Sequence, residues 1–171
     1  MTPAPRRGYA PRMRRAVLGS LVFLVVAPGI VAGLVPWLLT GWDAADDVPV
    51  PVVVAGVVLT AAGAAVLLHA FARFVAEGLG TPAPIAPTER LVVGGLYRYV
   101  RNPMYLAVGA TIVGQALILG APGLFLYALA FGATVWTFVR FYEEPTLART
   151  YGAEYDSYRR AVPGWWPRRP A

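Results

Sequence analysis

NPMYLAVGATIVGQALILGAPGLFLYALAFGATVWTFV, residues 102–139, contains no charged side chain. As a single helix it would extend roughly 57 Å at 1.5 Å per residue, nearly twice the roughly 30 Å of bilayer hydrocarbon. The run therefore has to break, and Gly120-Ala121-Pro122-Gly123 holds its strongest turn formers. The two halves, Met104 to Leu119 and Leu124 to Phe141, are expected as short antiparallel spans that need flanking residues to reach the interfaces. Arg140 can snorkel from the end of the second.

Upstream, a second apolar run extends from Val48 to Ala72, interrupted only by His69. Its opening (Val50, Val52, Val53, Val54) is β-branched, but its length far exceeds the usual strand of about 5 to 6 residues, so a helix is expected. The acidic loop Asp43, Asp46, Asp47 separates it from a third run, Ala16 to Trp42, which follows the basic cluster Arg6, Arg7, Arg12, Arg14 and Arg15. That run is longer than the h-region of a signal peptide, about 7 to 15 residues, and is read as a span. Pro28 and Pro36 do not argue against this, because neighbouring helices in a bundle can take up the carbonyls a proline frees.

Composition agrees. Of 171 residues 57% are hydrophobic and 14% charged, against about 25% charged in an average soluble domain, and the mean hydropathy is +0.56. The fold class expected is all-α, a polytopic membrane helix bundle of about four transmembrane helices with a cytoplasmic C-terminal cofactor-binding segment. Residues 1–72 form the basic N-terminus and first hairpin; residues 73–171 form a polar loop, the second hairpin and the tail. The loop from Arg73 to Arg101 is expected to be irregular, punctuated by Gly78, Gly80, Pro82, Pro84, Pro87, Gly94 and Gly95.

All 15 basic residues are arginine, and the net charge is +6. They lie in the N-terminus, the central loop and the tail, with Arg140 at the tail's edge, and none lies in the 43–47 loop or the 120–123 turn. The positive-inside rule then places both termini and the central loop in the cytoplasm. The lack of lysine, with abundant Ala, Val, Gly and Pro, points to a GC-rich bacterial genome and hence to a bacterial inner membrane. Absence of cysteine excludes disulfides and thiolate chemistry. No three convergent metal ligands can be assembled, and no nucleic-acid recognition element accompanies the basic ends.

This topology brings two polar segments to one membrane face: Gly95-Leu96-Tyr97-Arg98-Tyr99-Val100-Arg101-Asn102-Pro103-Met104-Tyr105 and Arg140-Phe141-Tyr142-Glu143-Glu144-Pro145. Ionisable groups at the edge of hydrocarbon are costly unless paired, so the cluster is a candidate site. Adjacent carboxylates at a helix C-terminus oppose its dipole by up to about 1 kcal/mol each, which calls for a cationic partner. Arg101 or Arg140 would serve structurally, and interfacial arginines and tyrosines also act as plain anchors. Trp165-Trp166-Pro167 with Arg168 and Arg169 reads as such an anchor, and His69 as interfacial packing.

Arg101-Asn102-Pro103-Met104-Tyr105, a hydrophobic hairpin, then Glu143-Glu144 with Leu147, Tyr151-Gly152, Glu154-Tyr155, Tyr158 and Val162-Pro163 together resemble the isoprenylcysteine carboxyl methyltransferase and phospholipid methyltransferase superfamily. The resemblance covers roughly residues 70 to 167. It implies an S-adenosylmethionine-dependent integral membrane methyltransferase acting on a lipophilic acceptor. The resemblance puts Arg101, Pro103 and Tyr105 in a first cofactor motif and Glu143 and Glu144 in a second; with Tyr99, Asn102 and Tyr155 these make up the expected cofactor-binding set. Gly78-Leu79-Gly80 is similar to a Gly-x-Gly element that phospholipid methyltransferases place upstream. Asn102 before Pro-Met-Tyr is closer to the phospholipid branch and the Glu154 to Pro163 pattern to the isoprenylcysteine branch, so both acceptor classes stay open.

The residue chemistry suits that cofactor: a sulfonium, an ammonium and a carboxylate ask for carboxylates, aromatic faces and an arginine. Glu144 is the candidate general base for an acceptor that arrives protonated, and Arg140 the residue that orients an anionic one. The alternative is a non-enzymatic scaffold or transport-related subunit in which the same side chains only anchor and pair. Topology is tested by single cysteines at Asp46 and at Thr88, which should react with a membrane-impermeant thiol reagent from opposite sides; reaction from one side contradicts the four-span arrangement.

Overall fold

The computed structural model describes residues 22, 25–78 and 91–169, with backbone only for 74–78. The basic N-terminal cluster, the start of the first apolar run, Leu79-Gly80 and the proline-rich part of the central loop lie outside the described residues. Every regular element among the described residues is helical. We label the helices α1 (Val25–Thr40), α2 (Val50–Gly78), α3 (Pro103–Leu119), α4 (Pro122–Tyr151) and α5 (Ala153–Ala161). Among the described residues between α2 and α3 lies a 3-10 turn, Gly95–Arg98.

The break in the long apolar run falls where the sequence puts it. Gly120 ends α3 in the left-handed region (φ +59°), and Pro122 opens α4 at a position where its missing N–H costs nothing. The span before the break, Pro103–Leu119, matches the expected Met104 to Leu119 within one residue, whereas two other helices run longer than expected. The α4 helix does not stop at Phe141 but runs 30 residues to Tyr151, and α2 continues past Ala72 to Gly78. Among the described residues two helices, α2 over Val50–Arg73 and α4, are long and apolar enough to cross a membrane; α3 and the described part of α1 are apolar but shorter.

Two π-turns explain how helices carrying internal prolines persist. In α1 the Val35 N–H bonds Ile30 O, one residue further back than in an α-helix, and Pro36 follows with no N–H to give. The carbonyls of Val31 and Ala32 are thereby freed. The Tyr127 hydroxyl donates to the first at 2.8 Å, and Gln115 Nε2 donates to the second at 2.7 Å. This is the re-satisfaction by neighbours expected for Pro36, and it pins α1 to α3 and α4. In α4 the same device recurs: Glu144 N–H bonds Val139 O, and Pro145 follows. Glu143 and Glu144 thus lie in and just after a π-turn inside a continuing helix, which corrects the expectation of a helix C-terminus there.

Helices α2 and α3 pack backbone against backbone. A Cβ on Gly56 would lie 2.7 Å from Gly114 O, one on Gly63 2.8 Å from Ala107 O, and one on Gly114 2.8 Å from Gly56 O. Small residues at helical spacing permit this approach, the usual basis of helix association in lipid. Thr60, between the two α2 glycines, has its hydroxyl buried without a hydrogen-bond partner among the described residues, as expected of a group squeezed against a backbone. Gly132 on α4, by contrast, faces open space. Gly114→Ala should therefore destabilise the detergent-solubilised protein by about 1–3 kcal/mol through overpacking, whereas Gly132→Ala should stabilise it by up to about 1 kcal/mol through helix propensity. Thermal unfolding that moves the same way in both variants contradicts this packing.

Candidate functional site

The central loop reaches the bundle at Gly95, whose positive φ (+57°) strains any other residue and where a Cβ would lie 3.0–3.1 Å from the Arg73 and His69 side chains. The 3-10 turn then buries Tyr97, and the Val100 to Asn102 segment enters α3 through Pro103. Tyr158 on α5 donates its hydroxyl to Tyr97 O at 2.8 Å. The tail returns along the loop: Arg101 N–H donates to Pro163 O (2.9 Å), and Arg168 N–H to Tyr99 O (3.0 Å).

Arg101 joins these pieces. Its Nη1 donates to Glu144 Oε1 at 2.7 Å and to the Tyr155 hydroxyl at 2.9 Å, and its Nε donates to Val162 O at 3.0 Å. One side chain at the mouth of α3 thus ties together α4, α5 and the tail. Glu144 is buried, and two further guanidinium groups lie near its Oε2, Arg140 at 3.9 Å and Arg159 at 4.0 Å. Both are largely exposed (55% and 45%) and so contribute little beside the Arg101 pair. Burial raises the Tyr155 and Tyr158 phenols above their ordinary values, opposed in each by the Arg101 charge, so both remain protonated at neutral pH.

Glu143 turns the other way. It accepts from the Tyr105 hydroxyl at 3.0 Å, and the Tyr105 ring lies 6.4 Å from that of Trp165. The π-turn thereby sends neighbouring carboxylates to different partners, Glu144 to Arg101 and Glu143 to Tyr105. Asn102, buried at the start of α3, does not cap that helix with its side chain; Nδ2 donates instead to Gly164 O at 3.1 Å.

Two cavities meet at this cluster. The larger, about 370 Å³, lies among α1, α2, α3 and α4, within the size range of small-molecule sites. Its walls are apolar (Val31, Leu67, Phe71, Met104, Val108, Phe131 and Val135 among them), and its polar end is Arg101, Asn102, Tyr105 and Glu143. The smaller, about 80 Å³, is bounded by Glu144, Leu147, Tyr155 and Tyr158, and it shares Tyr97, Arg101, Asn102 and Glu143 with the larger.

Of the residues singled out in the sequence, Arg101, Asn102, Pro103, Tyr105, Glu143, Glu144 and Tyr155 converge here. Tyr99 does not line either cavity: its ring lies under the Arg98 guanidinium at 5.7 Å, and its carbonyl holds the tail. Arg140 also lines neither. Trp165, read as an anchor, packs beside Tyr105, whereas Trp166 is 84% exposed. Sequence reasoning left out Tyr97, Tyr158 and Arg159 as site residues. A Tyr four residues before Arg101 and an Arg four after Tyr155 were visible, but interfacial tyrosine and arginine are too common to stand out.

Because Arg101 and Glu144 are each nearly buried and mutually bonded, Arg101→Ala should cost about 3 kcal/mol or more in stability by stranding the carboxylate. The double variant Arg101→Leu/Glu144→Leu should lose less than the sum of the single variants. Strict additivity in unfolding free energy would mean the two side chains are not coupled.

The phospholipid methyltransferase family model matches residues 51–154. A protein-S-isoprenylcysteine O-methyltransferase of Schizosaccharomyces pombe is 34% identical over 80 residues, 45% of this chain and 33% of the relative. A phosphatidylethanolamine N-methyltransferase of Yarrowia lipolytica is 34% identical over 64 residues, 37% of this chain and 7% of the relative. The chain thus spans a third or less of the length of the curated relatives it matches. The matched segment takes in α2, α3, α4 and both carboxylates of the π-turn, and on that extent of match the chain belongs to the phospholipid methyltransferase family.

Proposed function

We propose that this protein is an S-adenosylmethionine-dependent methyltransferase that modifies a lipophilic acceptor at the cytoplasmic face of a membrane. The observation that carries the reading is the convergence of Arg101, Asn102, Tyr105 and Glu143 on one end of an otherwise apolar cavity. A cavity that is apolar along its walls and polar at one end suits an amphiphile. Membership of the methyltransferase family and similarity to enzymes named for isoprenylcysteine and phosphatidylethanolamine support the same reaction class.

The donor set fits the cofactor's charges. Glu143 and the aromatic faces of Tyr97 and Tyr105 complement a sulfonium and an ammonium. Arg101 Nη2, which makes no hydrogen bond among the described residues, is available to a carboxylate. When bound, S-adenosylmethionine supplies an activated methyl group. The chain's task is then alignment and exclusion of water, since methyl transfer is a displacement that needs little covalent help. Glu144 and Tyr155 hold the Arg101 guanidinium in place, and Pro103 sets the angle at which α3 leaves the site. For Glu144 to act as a general base, its bond to Arg101 has to open; an acceptor that arrives ionised needs no base. Arg140, exposed at the rim, would meet an anionic group arriving from the interface.

This reading takes the chain as a four-span bundle with both termini cytoplasmic, in a bacterial inner membrane. Residues 73–171 carry the chemistry and 1–72 anchor it. The arginine distribution supports that orientation, and surrounding lipid is its natural partner. The non-enzymatic alternative explains the Arg101–Glu144 pair as scaffold but gives no reason for Glu143 and Tyr105 to face a cavity.

Calorimetric titration of the detergent-solubilised protein with S-adenosylmethionine or S-adenosylhomocysteine tests the proposal. Wild type should bind, and Glu143→Gln should weaken S-adenosylmethionine binding about tenfold or more, the loss of one charged contact of about 1.5 kcal/mol, with an unchanged melting temperature. No binding by wild type at millimolar ligand would overturn the reading.

A further inference from the structure

The two ends of the large cavity have different origins. Its polar end belongs to the family-matched segment, residues 51–154. One apolar wall is built by α1, which lies outside that segment and contributes Ala27, Pro28 and Val31. These three share one helix face, at spacings i, i+1 and i+4. Each is half-buried, whereas Val25, Val26, Gly29 and Ile30 around them are exposed.

Nothing in the length or apolarity of α1 would fix which face it turns to the cavity. The π-turn does. It frees the Val31 and Ala32 carbonyls, and Tyr127 and Gln115 take them up from α4 and α3. In a lipid surround a freed carbonyl has no water to turn to, so these bonds lock both the rotation and the axial position of α1. Both locking residues lie outside the cavity lining.

We infer that α1 is the acceptor-selecting wall of this enzyme: Ala27, Pro28 and Val31 contact the hydrocarbon chain of the acceptor, and Gln115 and Tyr127 are positioning residues that set the width of its channel. The inference rests on the proposed methyltransferase reading and assigns the selection of acceptor by chain shape to a helix outside the family-matched segment. Discrimination by a hydrophobic wall is modest, about tenfold for a change of a methylene or two, so its signature is a shift of preference among acceptors, not a loss of activity.

The test uses the full-length protein in detergent micelles with methyl-labelled S-adenosylmethionine. The acceptor probes are N-acetyl-S-geranyl-, S-farnesyl- and S-geranylgeranyl-cysteine, and phosphatidylethanolamine with short and long acyl chains. Val31→Phe, or Ala27→Leu should the first variant fail to fold, narrows the channel. It is expected to raise KM for the bulkiest chain about tenfold relative to the slimmest within whichever series is used, with S-adenosylhomocysteine affinity unchanged. Gln115→Leu/Tyr127→Phe should flatten the preference among chain lengths. Equal KM changes across all chains, or changes confined to cofactor affinity, would overturn the inference while leaving the methyltransferase reading intact. Failure of wild type to bind S-adenosylhomocysteine or to methylate any probe would overturn both.

Discussion

The 2.7 Å ion pair between Arg101 and Glu144 is the contact on which the polar end of this fold depends. Its partners come from elements that apolar packing alone would not bring into register: the loop before α3, the π-turn of α4, the amphipathic α5 and the tail. Membrane helices gain little from apolar burial against one another, because lipid is as apolar as their side chains. A charged, hydrogen-bonded hub therefore does what a hydrophobic core does in a soluble domain. It also keeps an arginine at the edge of hydrocarbon, where an unpaired one would be expensive.

The second constraint is the pairing of a π-turn with a following proline, used twice. At Pro36 the released carbonyls become docking points for Tyr127 and Gln115. At Pro145 the extra residue divides two consecutive carboxylates between Arg101 and Tyr105. In a regular α-helix successive side chains also diverge, by about 100°. The π-turn adds a shift of register between the apolar stretch of α4 and the site, so that Glu143 reaches the large cavity while Glu144 stays in the hub. A local irregularity thus sets which acid faces the large cavity and which holds structure.

Much of this was legible in the sequence, and for physical reasons. Gly120 and Pro122 mark a helix stop and start by backbone geometry alone, and the uncharged run around them was too long for one span. Arg101 and Glu143-Glu144 stood out because charges beside hydrocarbon demand partners. What could not be read was continuity: Pro145 and the adjacent carboxylates look like the end of a helix, and only the π-turn lets α4 continue to Tyr151. Likewise α2 outlasts the apolar run that defined it. Arg159 reaches Glu144 only because Gly152 bends the chain between α4 and α5, a conformation no periodicity announces. Tyr99, in the expected cofactor-binding set, has its ring under Arg98 instead.

The central claim is that the cofactor's place is the meeting point of the Arg101 segment and the π-turn of α4. Photocrosslinking with methyl-tritiated S-adenosylmethionine, followed by proteolytic mapping of the label, tests it most directly. The account predicts label in peptides containing residues 97–105 or 139–158, and protection of both by excess S-adenosylhomocysteine. Label confined to residues 25–66, or spread without protection, would contradict it.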